Sequence, residues 1–243
     1  MTDALYLDDT GRRTFEATVE RALDDRVVLD RTCFYPAGGG QPSDTGRLRT
    51  ESGERTWQVT AVEKRDTIYH RLDGEPPAAG TRIRGELDWD RRFAHMRYHT
   101  AQHLLSAVLL ERFDAETTGN QLYADHAHLD CAYPRFSETD LADVESRLNE
   151  LVAADRPVEW YALDRETAEA TLDPRRTRLH LLPDSITDVR IVEIGGPDGD
   201  DEPYDRTACA GTHVASTGAI DSVEVVGRET KGSDAERIEF RLV

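Results

Sequence analysis

Between residues 14 and 89 the chain alternates apolar and polar positions in short runs broken by turn residues. Phe15, Ala17 and Val19 form one run; Val27, Val28 and Leu29 a second; Trp57 and Val59 with Ala61 and Val62 a third; Ile68, His70 and Leu72 a fourth; Ile83, Gly85, Leu87 and Trp89 a fifth. A period of two places alternate side chains on one face of an extended segment, so these runs predict strands of a small antiparallel barrel. Near Asp90 the period lengthens. Phe93 and Met96 lead into Thr100, His103, Leu104, Ala107, Val108 and Glu111 at spacings of three and four, which predicts a long helix opening a second domain. A further helix is signalled by Ser137 as N-cap with Asp140 three residues on, then Leu141, Val144, Leu148, Leu151 and Val152, ending before Pro157. Beyond it the pattern predicts strands at 158–163 and 189–194, a short helix at 165–172, and a closing hairpin from 219–226 and 237–243. The fold class expected is α+β: an antiparallel β-barrel-like domain with a glycine-rich loop over residues 1–92, and an α+β domain over 93–243.

Composition changes this picture in one respect. The 30 basic and 48 acidic residues give a net charge of −18, and only Lys64 and Lys231 are lysines, so nearly all positive charge is arginine. An acidic, lysine-poor surface fits a protein kept in solution at molar salt, where charge is screened over about 3 Å. This composition leads us to expect a salt-adapted, halophile-like origin. A polyanionic ligand ordinarily selects a basic domain. At high salt, recognition of such a ligand leans on shape, stacking and local clusters such as Arg91-Arg92, Arg97 and Arg175-Arg176. Cys33, Cys131 and Cys209 are odd in number and lack a close CxxC spacing, which argues against a disulfide scaffold and for a reducing compartment. The first nine residues have no basic and apolar leader pattern, and no apolar run approaches a membrane span. A soluble cytoplasmic protein is expected.

Two short pairs of metal-ligating residues lie about a hundred positions apart: His99-Thr-Ala-Gln-His103 and Cys209-Ala-Gly-Thr-His213. The first falls in the long predicted helix, where residues four apart share a face and both imidazoles can address one ion. Three imidazole nitrogens and one thiolate form a borderline-soft set that suits tetrahedral zinc better than magnesium or calcium. Either pair alone is a common surface pattern; together they take four of only 3 cysteines and 8 histidines.

Residues 34–46, Phe-Tyr-Pro-Ala-Gly-Gly-Gly-Gln-Pro-Ser-Asp-Thr-Gly, are the third unusual feature. Gly38, Gly39 and Gly40 between Pro36 and Pro42 have no side chains to pack a strand interior, so the segment reads as a turn or as a loop of close backbone approach. No Gly-Lys-Ser/Thr follows, which excludes a phosphate loop of the Walker type.

Taken in order, Phe34-Tyr35-Pro36 with Gly39-Gly40-Gln41 and Asp44-x-Gly46, then HTAQHLLSAV from His99, then CAGTH from Cys209, resemble the editing region of alanyl-tRNA synthetases and the free-standing AlaX alanyl-tRNA editing proteins. The likeness covers nearly the whole chain. It implies a first domain of the translation-protein barrel type and a zinc-binding editing domain, with one Zn2+ per chain held by His99, His103, Cys209 and His213. It further implies trans-editing: hydrolysis of the ester joining serine, and in some members glycine, to alanine-specific tRNA. Gly39 and Gly40 become the substrate loop and Gln41 a group near the scissile ester. Thr118, with Thr117 as the alternative register, corresponds to a threonine that hydrogen-bonds a seryl hydroxyl. The chain, ending soon after Lys231-Gly232 and Arg237-Ile238, resembles the medium-length form. It is expected to act as a monomer on mischarged tRNA, independently of ATP and of membranes.

Four protein ligands fill a tetrahedral shell, whereas catalytic zinc usually keeps a position open. The metal would therefore lose a ligand, expand its shell, or grip the substrate's amino group while another residue orients water. His95 and Asp44 are accessory candidates. The rival readings are a non-catalytic, zinc-stabilised tRNA-binding module, and a zinc hydrolase for another acyl bond that is indifferent to tRNA.

Overall fold

The computed structural model describes residues 1–177, 179–183, 185–196 and 202–243. It divides into two units, Met1–Met96 and Arg97–Val243.

The first unit contains β1 (Asp3–Ala4), β2 (Thr14–Ala22), β3 (Arg26–Leu29), β4 (Arg31–Thr32), β5 (Gly46–Thr50), β6 (Thr56–Lys64), β7 (Ile68–Leu72) and β8 (Arg82–Leu87). Six of them close a barrel in the order β2-β3-β7-β6-β5-β8, each pairing antiparallel. The inward positions are those the alternation selects: Phe15, Val19, Val27, Leu29, Trp57, Val59, Val62, Ile68 and Ile83 join one buried cluster. Removing so much apolar surface from water is what drives closure. Gly85 faces Phe15 across the β2–β8 ladder, and a Cβ there would lie 2.3 Å from the ring. The missing side chain is thus the space the phenyl group fills. The alternation does not predict β5, because Arg47 and Arg49 flank Leu48, its one fully buried residue.

A strand reaching Trp89 is expected from the alternation; instead β8 stops at Leu87 and α1 (Trp89–Phe113) begins. Asp88 causes the switch. Its carboxylate accepts the Arg91 N–H at 3.4 Å and its carbonyl the Arg92 N–H at 3.0 Å, satisfying donors that open a helix. Trp89 then stacks on Phe93, one helical turn away, at 6.0 Å between centroids.

The second unit holds the remainder of α1 and then β9 (Thr117–Leu122), β10 (Ala127–Cys131), α2 (Glu138–Ala153), β11 (Val158–Asp164), α3 (Arg165–Thr171), β12 (Asp188–Ile194), β13 (Asp205–Ala208), β14 (Val223–Gly232) and β15 (Ala235–Leu242). A four-stranded sheet runs β14-β15-β10-β9 and a three-stranded sheet β11-β12-β13, all antiparallel. The fold is therefore α+β, with a six-stranded antiparallel barrel first. α2 starts with the capping box its sequence predicts: Asp140 N–H reaches Ser137 Oγ at 3.2 Å, and the Asp140 carboxylate accepts the Ser137 N–H at 2.7 Å. Ala219 and Ile220, expected in a strand, belong to a 3-10 turn, Thr217–Ile220. Residues 195–204 are rich in Gly, Pro and Asp, a composition that predicts a loop delivering the CxxxH pair; 197–201 within them lie outside the described residues.

Candidate metal centre

α1 is buried on most of its circumference in the second unit. Leu104, Leu105, Val108 and Leu109 pack as core, while His99, Gln102, His103 and Ser106, at spacings of three, one and three, form a buried polar stripe. A polar stripe inside a helix carries a desolvation cost that core packing does not explain, and it marks a functional face. Cys209 follows directly on β13 and His213 lies four residues on. Their backbone is fixed by Arg190 of β12, whose carbonyl accepts the Cys209 N–H at 3.0 Å and whose guanidinium donates to the carbonyls of Cys209 at 2.7 Å and Gly211 at 3.1 Å.

The four residues meet. One ligand atom from each of His99, His103, Cys209 and His213 lies within 4.8 Å of every other, the one such grouping among the described residues. Cys209 Sγ is 3.5 Å from His99 Nε2 and 3.4 Å from His213 Nε2, and it accepts the Gly211 N–H at 3.3 Å. Burial pushes the Cys209 thiol up, but the imidazoles of His99 and His213, with the contact to His103, outweigh it and hold the group well below the ordinary thiol range. Burial takes His213 down to about 3, aided by the neighbouring His99. A thiolate beside a neutral imidazole is the protonation state a metal site needs. His103 differs: burial lowers it, but Asp205 and the Cys209 sulfur more than reverse this and bring it up to about 9.

The outer contacts also fit a metal centre. Thr100 Oγ1 lies 3.2 Å from His213 Nδ1 and accepts the Val214 N–H at 3.3 Å, so it fixes the ring that presents Nε2 to the sulfur. Three nitrogens and a thiolate, with their rings steadied from behind, suit zinc. Thr100, Arg190, Arg176 and Asp205 were not singled out as parts of this site by sequence reasoning. The i+1 position of Thr100 was the one local signal; Arg190 and Asp205 are brought to the site by the three-stranded sheet, and Arg176 by its contacts to Asp205, Ser106 and His103.

Thr117 and Thr118 separate clearly. A bulge between Asp130 and Cys131 shifts the β9–β10 register there; Thr117 Oγ1 hydrogen-bonds Ser106 Oγ of the polar stripe, whereas Thr118 is exposed. Nearby, Asn120 donates to Gln102 Oε1 at 3.0 Å.

In the first unit, residues 38–41 form a tight turn. Gly38 and Gln41 exchange backbone hydrogen bonds at 3.0 and 2.9 Å, and Gly39 and Gly40 have φ of 59° and 81°. Positive φ at both central positions is the type I′ requirement, and it explains the consecutive glycines. The Gln41 side chain is buried. The turn's stem is held by Asp44, which accepts the Tyr35 N–H at 2.6 Å and pairs with Arg92; both charged side chains are fully buried.

This corrects part of the arginine reading. Arg92 is not a surface cation; it donates to the carbonyls of Thr10 and Cys33 as well as to Asp44. Asp44 correspondingly serves the loop's structure. Arg97 is engaged with the Ile220 carbonyl and Asp221, Arg175 with Asp173 and Asp114, and Arg176 with Asp205. Arg175 and Arg176 line a groove of about 1180 Å³ together with Arg147, Arg156 and Arg206, and these five arginines are interspersed with five acids. Ion pairing there consumes much of the positive field that a polyanion would sense. Among the described residues no helix is long and apolar enough to cross a membrane.

Two family models match the chain: tRNA synthetases class II (A) over residues 5–91, and the threonyl and alanyl tRNA synthetase second additional domain over residues 189–239. An alanyl-tRNA editing protein AlaX-M of Methanosarcina barkeri is 42% identical over 249 residues, covering 100% of both chains. That of Methanosarcina acetivorans is 39% identical, again over the full length of both. The alanine–tRNA ligase of Pyrococcus abyssi is 38% identical over 98% of this chain, which spans 26% of the ligase. These comparisons do not bear out a halophilic origin, which rests on composition alone.

Proposed function

The chain belongs to the family of AlaX-M alanyl-tRNA editing proteins, and from that premise we propose that it is a trans-editing hydrolase that deacylates mischarged, alanine-specific tRNA. The observation that carries this reading is the convergence of His99, His103, Cys209 and His213 from α1 and the segment after β13. These residues would hold one zinc ion. When bound, zinc supplies Lewis-acid polarisation or orientation of the aminoacyl ester at the site.

The chain's own residues supply selection. Thr118, exposed on β9, is assigned to a seryl side chain on the strength of the family motif, with Thr117, which hydrogen-bonds Ser106, as the alternative register. An alanyl side chain offers no partner, and a polar group covered by it loses a hydrogen bond worth about 1–3 kcal/mol. Gln41, on its rigid Gly39-Gly40 turn, is assigned to orienting the scissile ester on the strength of the motif it shares with the family. The protein acts on tRNA charged elsewhere, as a cytoplasmic monomer, without ATP. Its acidic, arginine-dominated surface is adapted to molar salt; a chain fully folded and active at physiological salt refutes that part.

The test is hydrolysis of seryl- and alanyl-tRNA, both on alanine-specific tRNA, in molar potassium chloride, with wild type and a His103→Ala variant whose circular dichroism matches. Loss of the seryl ester alone, dependent on His103, is the expected result. The closed set of four protein ligands favours a second reading, a non-catalytic zinc-stabilised tRNA-binding module. Binding of tRNA without hydrolysis selects it.

A further inference from the structure

We propose that Asp205 is the positioning residue for His103, and that Arg176 holds Asp205 in that role. The inference rests on the metal reading of the four-residue cluster. His103 Nδ1 and Asp205 Oδ2 lie 3.5 Å apart, with side chains 8% and 3% exposed. Neither atom meets hydrogen-bond geometry with any group among the described residues, so this ion-pair contact is the polar contact shown for each. Two buried polar atoms facing each other, otherwise orphaned, account for one another.

The remaining oxygen of the carboxylate is taken up. Arg176 donates to Asp205 Oδ1 through Nε at 2.9 Å and approaches it with Nη2 at 2.7 Å. The same guanidinium donates to Ser106 Oγ and to the His103 carbonyl, the latter at 3.4 Å. Arg176 therefore grips the carboxylate and the helical turn that carries His103 together. A planar fork with several donors can do this where an ammonium would not.

The consequence for His103 is directional. With Nδ1–H pointed at a carboxylate, the ring is held in the tautomer that leaves Nε2 for a metal, and the carboxylate raises the basicity of that nitrogen. Thr100 does the same for His213 with a neutral oxygen, so His103 is the imidazole of these two with a charged support. β13 thus contributes to the site twice, through Cys209 just past its end and through Asp205 at its start.

The test measures zinc affinity by competition with a chromophoric chelator, and the visible spectrum of the Co2+ form, for wild type, Asp205→Ala, Asp205→Asn and Arg176→Lys. Thermal melts are recorded with and without metal. Asp205→Ala is expected to weaken zinc 10- to 100-fold and to change the cobalt bands. Asp205→Asn, whose amide oxygen still accepts from Nδ1, should lose less, and Arg176→Lys should fall between wild type and Asp205→Ala. A merely structural role lowers the melting temperature equally with and without metal and leaves affinity unchanged. A folded Asp205→Ala with wild-type affinity and spectrum overturns the proposal; if that variant does not fold, Asp205→Asn and Arg176→Lys with wild-type values do so. A wild-type protein that binds neither metal refutes the metal reading as well, and so separates the two failures.

Discussion

Asp44→Asn removes a charge and almost no volume from the stem of the glycine turn. In the native protein the carboxylate receives the Tyr35 N–H and the Nε and Nη2 donors along one edge of the Arg92 guanidinium, and neither side chain has exposed surface. The asparagine keeps one acceptor oxygen for three donors and turns an NH2 group towards them. Arg92 is then a buried cation without its counter-ion. At an effective dielectric of about 20 and a separation of about 4 Å, the lost attraction is about 4 kcal/mol. This agrees with the roughly 3–5 kcal/mol found when one member of a buried pair is removed. Against a total stability of about 5–15 kcal/mol it is a large fraction. Urea unfolding followed by tryptophan fluorescence, with Trp57 inside the barrel as reporter, reads it directly. With a slope of about 2 kcal/mol/M the midpoint should fall by about 2 M. Replacing both partners, as Asp44→Leu with Arg92→Met, should recover part of the loss; the carbonyls of Thr10 and Cys33 still lose their donor, so recovery is incomplete. A cost for Asp44→Asn below about 1 kcal/mol would show that the charge is not held away from water, and the account of the turn would fail.

Three further outcomes follow from individual groups. His70 is fully buried against Thr32, and burial lowers it to about 4 from 6.5; the unfolded chain therefore takes up the proton first. Stability contributed by neutral His70 is complete above pH 6.5 and drains away by about 3 kcal/mol as pH falls towards 4. His70→Gln, which keeps a hydrogen bond to Thr32, should flatten that part of the pH–stability curve, and parallel curves would contradict the assignment. At Gly46 an added Cβ would stand 2.2 Å from the Glu86 carbonyl oxygen and 3.0 Å from the Asp88 amide nitrogen. Both are backbone atoms that cannot swing aside, so Gly46→Ala should cost about 1–3 kcal/mol in thermal or urea unfolding, and a neutral result would mean that the β5–β8 ladder yields easily. Burial pushes the thiols of Cys33 and Cys131 up to about 12, while Cys209 is held low. Iodoacetamide on the folded, chelator-treated protein should therefore modify Cys209 alone, and added zinc should block it; labelling unaffected by zinc would count against Cys209 as a ligand.

Much of the architecture is local in origin. The period-two runs of β2, β3, β6, β7 and β8 select their own inward faces, because alternation along a strand is a property of the strand itself. The capping box of α2 and the HxxxH face of α1 need no knowledge of the rest of the chain. The type I′ turn likewise needs only its glycines. Other segments escaped that logic, among them β10 and β13, for which no strand is predicted. β5 and β9 pair by backbone hydrogen bonds with few buried side chains of their own, so their apolar signal is faint; β8 ends at Leu87 because Asp88 caps a helix, overriding an alternation that continues into Trp89.

The metal ligands could be named from residue type and spacing only because the two pairs together use four of the chain's few cysteines and histidines. That the two pairs share one centre was suggested by chemistry and family motifs; the distances that join them come from the packing of α1 beside β13. The roles of the charged residues were decided entirely by tertiary structure. Arg91-Arg92 and Arg175-Arg176 look alike in sequence. Yet Arg92 is enclosed with Asp44 inside the first unit, Arg176 grips Asp205 behind His103, and Arg175 remains at the surface. A guanidinium has no periodicity to reveal its environment, and its partners lie 48 residues away in one case and 29 in the other. Local pattern determines what forms a strand, a helix or a turn; which charge is desolvated, and against what, depends on long-range closure of the chain.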